Sequence, residues 1–584
     1  MKCQLVNTNF NSNYVINLLE ERGITAEEMP YFLHPTPQLL LSPTNLKNID
    51  AAYHMFLEMM DMDETHHIVL IVDSDVDGFT SSAIFYKYLR QWNRVVKISY
   101  ILHQGKGHGL NDTIDEVMRI DEQNKIDYVV IPDAGSNDIE QHKQLVENNI
   151  KCLILDHHLI DKVWEEAPDT VVIVNNQDSP DYSNKELCGA GVTWQFCRYI
   201  DHQLDTTYSH DLIDLAALGI ISDMMSMLSL ENRYIVSEGC ERITNYFFKV
   251  LCEKQAFSMG DKVNPTTVAF YITPLINALI RVGTEDEKER LFMAFIDGHE
   301  TVVSHKRGAN GALEEVAIES ARECTNAKAR QNRILDKAIE GLEVKISKYD
   351  LLSHKILFIK LDDEDFPPEL NGLCAMKLAA KYQRPTIVAR LNDEGFDRGS
   401  SRGLNDSSLT SFKKLMDYSE MFEYTAGHDN ACGVSIPDKE VATFLLWADQ
   451  FLDDNGIDLN ENFYPVNFER IAAAQDIVDI INDVAQHEDI WGQHCPEPLI
   501  HITDLNIEKK DVQIIGKNAD TIKIEKFGVT YMKFRAKDMI KDLAQYDKIK
   551  LEIVGKMNLN NYYGRVTPQI FIENYQAQDD TLGF

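Results

Sequence analysis

A chain of 584 residues is long enough for several hydrophobic cores, and 44% hydrophobic with 26% charged residues is the balance of an ordinary globular protein. Its 57 Lys and Arg against 93 Asp and Glu give a formal net charge of −36, which excludes general coating of nucleic acid; a bound polyanion would need a local basic track. No apolar run is long enough for a membrane span or a signal peptide, and the 10 cysteines show no CxxC or zinc spacing. They read as reduced thiols in a cytoplasmic protein.

In chain order, residues 65 to 225 alternate short β-rich runs with amphipathic segments. Examples are Ile68–Val72, Val95–Leu102, Tyr128–Pro132, Cys152–Leu155 and Val171–Val174. The alternation predicts βαβ units and a mostly parallel sheet with helices on both faces. Leu215–Ile221 reads as a further carboxylate-tipped strand. Residues 226 to 310 read as helical, and a long helix without proline is predicted over Leu313–Lys348 as a connector. Residues 350 to 455 return to α/β, and beyond about 498 turn-separated strands predict a small β-barrel. The expected parts are a catalytic domain over 1–312, a connecting helix over 313–348, an α/β domain over 349–458 and a β-rich domain over 459–584.

Chemistry concentrates at the tips of the early strands. Asp73-Ser-Asp75-Val-Asp77-Gly78 follows the first, Asp133-Ala-Gly135 follows Tyr128–Pro132, Asp156-His157-His158 ends the next, and Asp223 follows Leu215–Ile221. Open α/β sheets place ligands at such ends. Taken singly, each aspartate is more often a turn residue. Four such tips converging would repel one another unless cations neutralise them. Carboxylates with imidazole favour manganese over calcium, with magnesium as the alternative. A calcium loop is excluded because Ile84 stands at the twelfth position, where glutamate is required. Two ions about 3.5–4 Å apart suit phosphodiester hydrolysis. His66, His67 and His202 lack partner spacing and read as solvated or satisfied core histidines. Gly105-Lys-Gly107-His-Gly109 is a weak phosphate-loop signal without a strand–loop–helix context.

The segments VDSDVDGFTSSA (72–83), GHGL (107–110), PDAGS (132–136), LDHH (155–158), CGAGV (188–192), LGIISDMM (218–225) and ENR (231–233), in this order, resemble the DHH phosphoesterase superfamily, specifically the RecJ-type single-strand-specific exonucleases. PLINALIR (274–281) resembles a RecJ segment with an Asn and an Arg near the scissile phosphate, here Asn277 and Arg281. GSSRG (399–403) and AGHDNACG (426–433) resemble the two substrate signatures of the DHH-associated domain. IWGQHCPEP (490–498) and NNYYGRVTPQIFIEN (560–574) resemble the RecJ OB-fold more loosely.

The resemblance implies Asp73, Asp75, Asp133, His157 and Asp223 as metal ligands, with His158 on the metal pair or the phosphate. Asp156 and Asp77 stand behind the ligands. Ser401, Arg402, Gly427 and His428 are implied as phosphate binders beside Asn277 and Arg281. Leu275 stands where these proteins usually carry Arg, and Ala426 where they carry Gly; neither touches a ligand position. The implied activity is 5′→3′ hydrolysis of single-stranded DNA to nucleotides with two manganese or magnesium ions, in recombination, repair or replication. A single-strand-binding protein or a helicase would be the protein partner, and no membrane is involved. The rivals are a phosphodiesterase for short oligonucleotides or cyclic dinucleotides, which would lack the OB-fold, and a non-catalytic replication scaffold, which would lack ligands.

Two stretches oppose the acidic whole. Residues 507–550 hold 11 Lys and Arg against 7 Asp and Glu, a balance of +4, and residues 321–348 hold 7 against 4, a balance of +3. They offer a track for a single strand, with Tyr562 and Tyr563 as stacking faces, although solvated lysines and packed tyrosines are the commoner outcome.

Overall fold

The computed structural model describes residues 2–6, 13–61, 65–103, 105, 107–362, 366–404, 407–459, 463–562 and 565–580. The chain forms two compact units. One comprises Pro30–Ile334 with Asp489–Cys495; the other comprises Met1–Met29, Leu335–Glu488 and Pro496–Phe584.

In the first unit, β1 (His67–Val72), α1 (Val76–Trp92), β2 (Lys97–Leu102), α2 (Ile114–Gln123), β3 (Tyr128–Pro132), α3 (Ile139–Glu147), β4 (Lys151–Asp156) and β5 (Val171–Asn175) follow one another. The sheet is entirely parallel in the order β2-β1-β3-β4-β5. Strands covered on both faces need unbroken apolar runs, and every residue of β1 and β3 is buried. This strand order reverses direction between β1 and β3, so a crevice opens at their C-terminal ends, where Asp73 and Asp133 emerge. His67 is a satisfied core histidine, bonded to the Asn124 carbonyl and the Ser99 hydroxyl, and His202 is exposed.

Helices α4 (Gly189–Leu204), α5 (Ile213–Ser222), α6 (Leu230–Glu241), α7 (Tyr246–Met259), α8 (Thr273–Val282) and α9 (Glu285–Ile296) complete the unit. The expected strand Leu215–Ile221 is therefore helical, within α5. A continuous apolar run is buried on all sides in either conformation, so periodicity cannot separate the two. Ala216, Ala217 and Gly219 let α5 press against α1, α4 and α6, and that packing decides. Arg233 on α6 holds the Asp489–Cys495 segment to this unit by donating to the Ile490 carbonyl.

The long helix, α10, spans Val316–Lys348 and starts three residues later than expected, because Leu313–Glu315 pairs antiparallel with Thr301–Val303. In the second unit β6 (Leu357–Lys360), α11 (Asn371–Tyr382), β7 (Thr386–Leu391), β8 (Phe396–Arg402), α12 (Phe412–Tyr418), β9 (Tyr424–His428), β10 (Ala431–Pro437) and α13 (Val441–Asp454) build a mixed sheet, β9-β10-β8-β7-β6. Then β11 (Phe468–Ile471), β12 (Leu499–Glu508), β13 (Val512–Ile515), β14 (Thr521–Lys526), β15 (Val529–Lys533), β16 (Lys548–Tyr562) and β17 (Arg565–Asp579) form a seven-stranded sheet, β11-β12-β16-β17-β15-β14-β13. It is OB-like, but among the described residues no pairing joins its end strands into the expected barrel.

The first 29 residues also depart from the expected boundaries. Lys2–Leu5 pairs with Phe463–Val466, and Asp483 accepts from the Val15 amide, so this segment packs with the β-rich part. Many lysines of the 507–550 stretch are neutralised locally, as in Lys510–Glu508, Lys523–Glu525 and Lys550–Asp504. Tyr563, like the Tyr562 side chain, lies outside the described residues. No helix among the described residues is long and apolar enough to cross a membrane.

Candidate functional site

The crevice between β1 and β3 collects the acids. Asp73 leaves β1 and is 1% exposed. Asp75 caps α1, accepting from the Gly78 amide at 2.9 Å. It sits in a cap rather than along an extended strand, and it still converges with Asp73. Asp133 leaves β3 with φ +76°, a left-handed backbone that aspartate tolerates better than most side chains. One ligand atom from each of Asp73, Asp75 and Asp133 lies within 4.8 Å of the others.

A second triplet stands beside the first. Asp77, His157 and Asp223 also bring ligand atoms within 4.8 Å of one another. His157 Nε2 joins the triplets, 3.2 Å from Asp133 and 3.6 Å from Asp223. Asp77, expected behind the ligands, is thus placed among them, although its carboxylate also accepts from the Gly189 and Ala190 amides at the start of α4. Asp223 follows the last turn of α5, so a helix end delivers the group that was expected on a strand tip.

Asp156 also brings a ligand atom within 4.8 Å of Asp133, His157 and His158, but its carboxylate is taken up by donors. It accepts from His158 Nδ1 at 2.8 Å and from the amides of Ser136, His157 and His158. Burial opposes its charge, but these donors, led by His158, hold its carboxyl well below the usual range. Burial likewise opposes the His158 cation, yet Asp156 pushes it up to about 9. With Nδ1–H given to an ionised carboxylate, His158 keeps Nε2 as a second donor.

The electrostatics of the triplets are those of a site built for cations. Burial, then Asp73 and Asp77, push Asp75 up to about 6. Burial with Asp77 and Asp75 pushes Asp223 up to about 8, and burial with three neighbouring carboxylates raises Asp133 as well. Oδ1 atoms of both Asp73 and Asp133 are buried without a hydrogen bond. Hard carboxylate oxygens with one imidazole, crowded and under-donated, fit one or two divalent ions.

Two histidines escaped the sequence reading. His108 Nδ1 lies 2.6 Å from Asp73 Oδ2, which raises the imidazole, and His103 lies 3.7 Å from Asp73 with both ring nitrogens unbonded. The glycine string around them is no phosphate loop. A Cβ on Gly107 would strike His103 and Asp112, so these glycines let the turn close and present His108; Lys106 lies outside the described residues. The GHGL motif was the available signal.

Glycines also set the approach of the helices. A Cβ on Gly189 would lie 2.5 Å from Asp133 Cβ, and one on Gly78 2.5 Å from Asp73 Cβ. Gly189→Ala is therefore expected to cost about 1–3 kcal/mol of stability. It should weaken manganese binding by roughly tenfold or more as Asp133 shifts. Thermal melting and a manganese titration check both.

On α8, Asn277 and Arg281 lie one turn apart, and Arg281 is close enough for Asp75 to support its charge against burial. The other expected phosphate binders sit in the second unit. Arg402 and His428 both pair with Ala431, while Ser401 and Gly427 both pair with Cys432. Two neighbouring rungs thus hold all four residues. Side chains alternate between faces, so Arg402 and His428 share one face, two strand spacings or about 10 Å apart. Ser401 is on the other: it is buried, with its hydroxyl on Cys432, so a phosphate role for that hydroxyl is not supported. Gly427, at φ +125°, needs to be glycine because a Cβ would lie 2.8 Å from the Ala431 carbonyl.

Known proteins resemble the chain over nearly its whole length. The profile of the DHH family, N-terminal domain, matches residues 67–220, and that of the RecJ OB domain matches residues 472–574. The SPbeta prophage-derived protein YorK of Bacillus subtilis, named as a single-strand DNA-specific exonuclease, is 34% identical over 98% of this chain and 97% of its own. The single-stranded-DNA-specific exonuclease RecJ of the same organism is 27% identical over 96% of this chain and 67% of its own. The crystal structure of RecJ from Thermus thermophilus with Mn2+ superposes with a TM-score of 0.72 at 19% identity, covering 99% of this chain and 80% of that one. A second structure of that protein, with Mg2+, gives 0.66 at 18% identity, covering 99% and 79%. Full-length identity above 30% to a single-strand exonuclease homologue, on a sheet with its acids at the switch point, makes this chain a member of the RecJ family of DHH proteins.

Proposed function

We propose that this chain is a metal-dependent exonuclease that hydrolyses single-stranded DNA from the 5′ end and releases nucleotides. The observation that carries the reading is the pair of adjoining triplets, Asp73–Asp75–Asp133 and Asp77–His157–Asp223, with burial and neighbouring carboxylates raising Asp75, Asp133 and Asp223. The relatives' names supply the substrate, and neighbouring RecJ structures hold manganese or magnesium.

Asp73, Asp75, Asp133, His157 and Asp223 would hold the divalent ions, with Asp77 beside them. Bound there, the ions would supply an activated water and Lewis acidity toward the phosphoryl oxygens. The chain does the rest. Asp156 fixes His158, whose Nε2–H can donate to a phosphate oxygen while its charge persists to about pH 9. His108 orients Asp73, and Asn277 and Arg281 supply donors beside the acids. Arg402 and His428 supply a second set of phosphate donors, and Gly427 lets their strands close on each other at Ala431. The expected division into catalytic domain, connecting helix, associated domain and OB-like domain serves this reading, with the first 29 residues moved to the OB-like side.

The decisive experiment is metal-dependent digestion of DNA labelled at either end, single-stranded and duplex, with products sized. Mononucleotides released first from the 5′ end of single strands support the reading; cleavage confined to cyclic dinucleotides, or none at all, refutes it. In the same assay Arg402→Ala is expected to raise KM roughly tenfold, at a cost of about 1.4 kcal/mol, while bound manganese stays unchanged. Loss of manganese in that variant would remove Arg402 from the phosphate-binding role.

A further inference from the structure

At the opposite end of α1 from the acids lies a cavity of about 810 Å³ that the proposed chemistry does not use. Four helix ends enclose it: Tyr86, Lys87 and Arg90 from α1, Leu215 from α5, Asn245 at the start of α7 and Ile296 at the end of α9. Tyr208, 41% exposed, stands at its margin. The volume suits a small organic ligand.

Its chemistry is specific. The Lys87 ammonium is half-buried and donates to the Ile296 carbonyl at 3.2 Å. Among the described residues no carboxylate comes within ion-pair distance of it. Asp214, the nearest acid on α5, is already occupied by the amides of Leu215, Thr244 and Asn245. Asp214 and Asp297 support its charge only from beyond that distance, so an anion seated at the ammonium would add its one direct counter-charge. Arg90, one turn along α1, donates to the Arg94 and Val96 carbonyls and lies over the Tyr86 ring at 5.1 Å, so its charge is fixed at the same wall. Ile296 supplies apolar surface, and Tyr86 and Tyr208 supply ring faces. Asp211 and Asp297 also line the space, which disfavours a polyanion and favours a ligand with one anionic group and hydrogen-bond donors of its own.

We propose that this cavity binds a nucleoside 5′-monophosphate, with the phosphate on Lys87 and Arg90 and the base among Tyr86, Tyr208 and Ile296. Both helices that floor the cavity end in the acid cluster. Lys87 is twelve residues along α1 from Asp75, roughly 18 Å at 1.5 Å per residue. Leu215 is eight residues before Asp223 along α5, roughly 12 Å. The site is therefore distinct from the acids yet joined to them by two rigid elements. That its ligand is also the reaction product rests on the nuclease reading; the binding itself does not.

The test is calorimetric titration of the full chain with dTMP and dAMP in EDTA, so that no metal-held phosphate contributes. One equivalent of nucleotide is expected to bind, with the dissociation constant raised tenfold or more in Lys87→Met and in the surface variant Tyr208→Ala. It should be unchanged in Asp133→Asn. Tyr208→Ala keeps the test valid if Lys87→Met fails to fold. No binding, binding lost in Asp133→Asn but kept in Lys87→Met, inorganic phosphate bound as tightly as dTMP, or a saturating acidic peptide in place of nucleotide would each overturn the proposal. DNA digestion with manganese is scored separately: nucleotide binding without nuclease activity sinks the nuclease reading alone, and the reverse sinks this inference alone.

Discussion

Asp133→Asn is expected to lower turnover on single-stranded DNA by roughly 10³-fold or more, because it removes a carboxylate of the first triplet that also lies 3.2 Å from His157 of the second. Asparagine is the informative substitution. Its shape matches aspartate, and it tolerates the left-handed backbone at φ +76°, whereas other side chains add strain there. The variant should also melt at a higher temperature than the parent when both are metal-free. Burial and the charges of Asp77, Asp75 and Asp73 all act against the Asp133 carboxylate, and the amide removes that repulsion. Higher metal-free stability, lower manganese content and lost turnover together distinguish a missing ligand from a damaged fold. Near-normal turnover by a folded Asp133→Asn protein would end the two-metal reading.

The aspartates were legible because each follows an apolar run that can only be a buried strand or helix. The carboxylates at 73, 133 and 156 fell where strand ends were expected, and the sheet order then placed the first two on either side of the switch point. Asp223 was found for a partly wrong reason. Its preceding run is helical, and only the close packing allowed by Ala216, Ala217 and Gly219 says so. Asp77 and His108 show a different limit. Whether a carboxylate faces the cluster or stands behind it depends on where the start of α4 falls, and whether a glycine-rich turn cradles phosphate or presents a histidine depends on what closes against it. Neither is written in local spacing.

The placement of residues 1–29 was beyond local reading too. Strand pairing between Lys2–Leu5 and Phe463–Val466 links segments more than 450 residues apart, and no periodicity in either announces the other. It has an experimental consequence. Removing residues from 459 onward deletes the partners of that strand and of Val15, so a truncation that asks whether the OB-like part grips long single strands should remove residues 1–29 as well. It should also retain Asp489–Cys495, which Arg233 holds to the catalytic unit.

The contribution of Asp75 and Asp223 to the stability of the metal-free protein is expected to fall as pH rises from about 4 to about 8, and manganese is expected to restore more of it at each step. An aspartate in the unfolded chain titrates near 3.9. In the folded protein burial and neighbouring carboxylates hold Asp75 protonated to about 6 and Asp223 to about 8. Between those limits these two groups hold more protons in the folded state than in the unfolded state, so their contribution to stability must fall with rising pH. Asp75 alone would contribute on the order of 3 kcal/mol once fully ionised. His158 continues the trend at the upper end: raised to about 9 by Asp156, it stabilises fully below about 6.5 and ceases to do so as pH passes 9. Divalent cations replace the displaced protons as counter-charge, so the melting-temperature gain on adding manganese should grow from pH 5 to pH 8. Binding near pH 6.5 should release protons, read by calorimetry in buffers of different ionisation enthalpy. A gain independent of pH, with no proton release, would mean that the ions are held elsewhere than among these carboxylates.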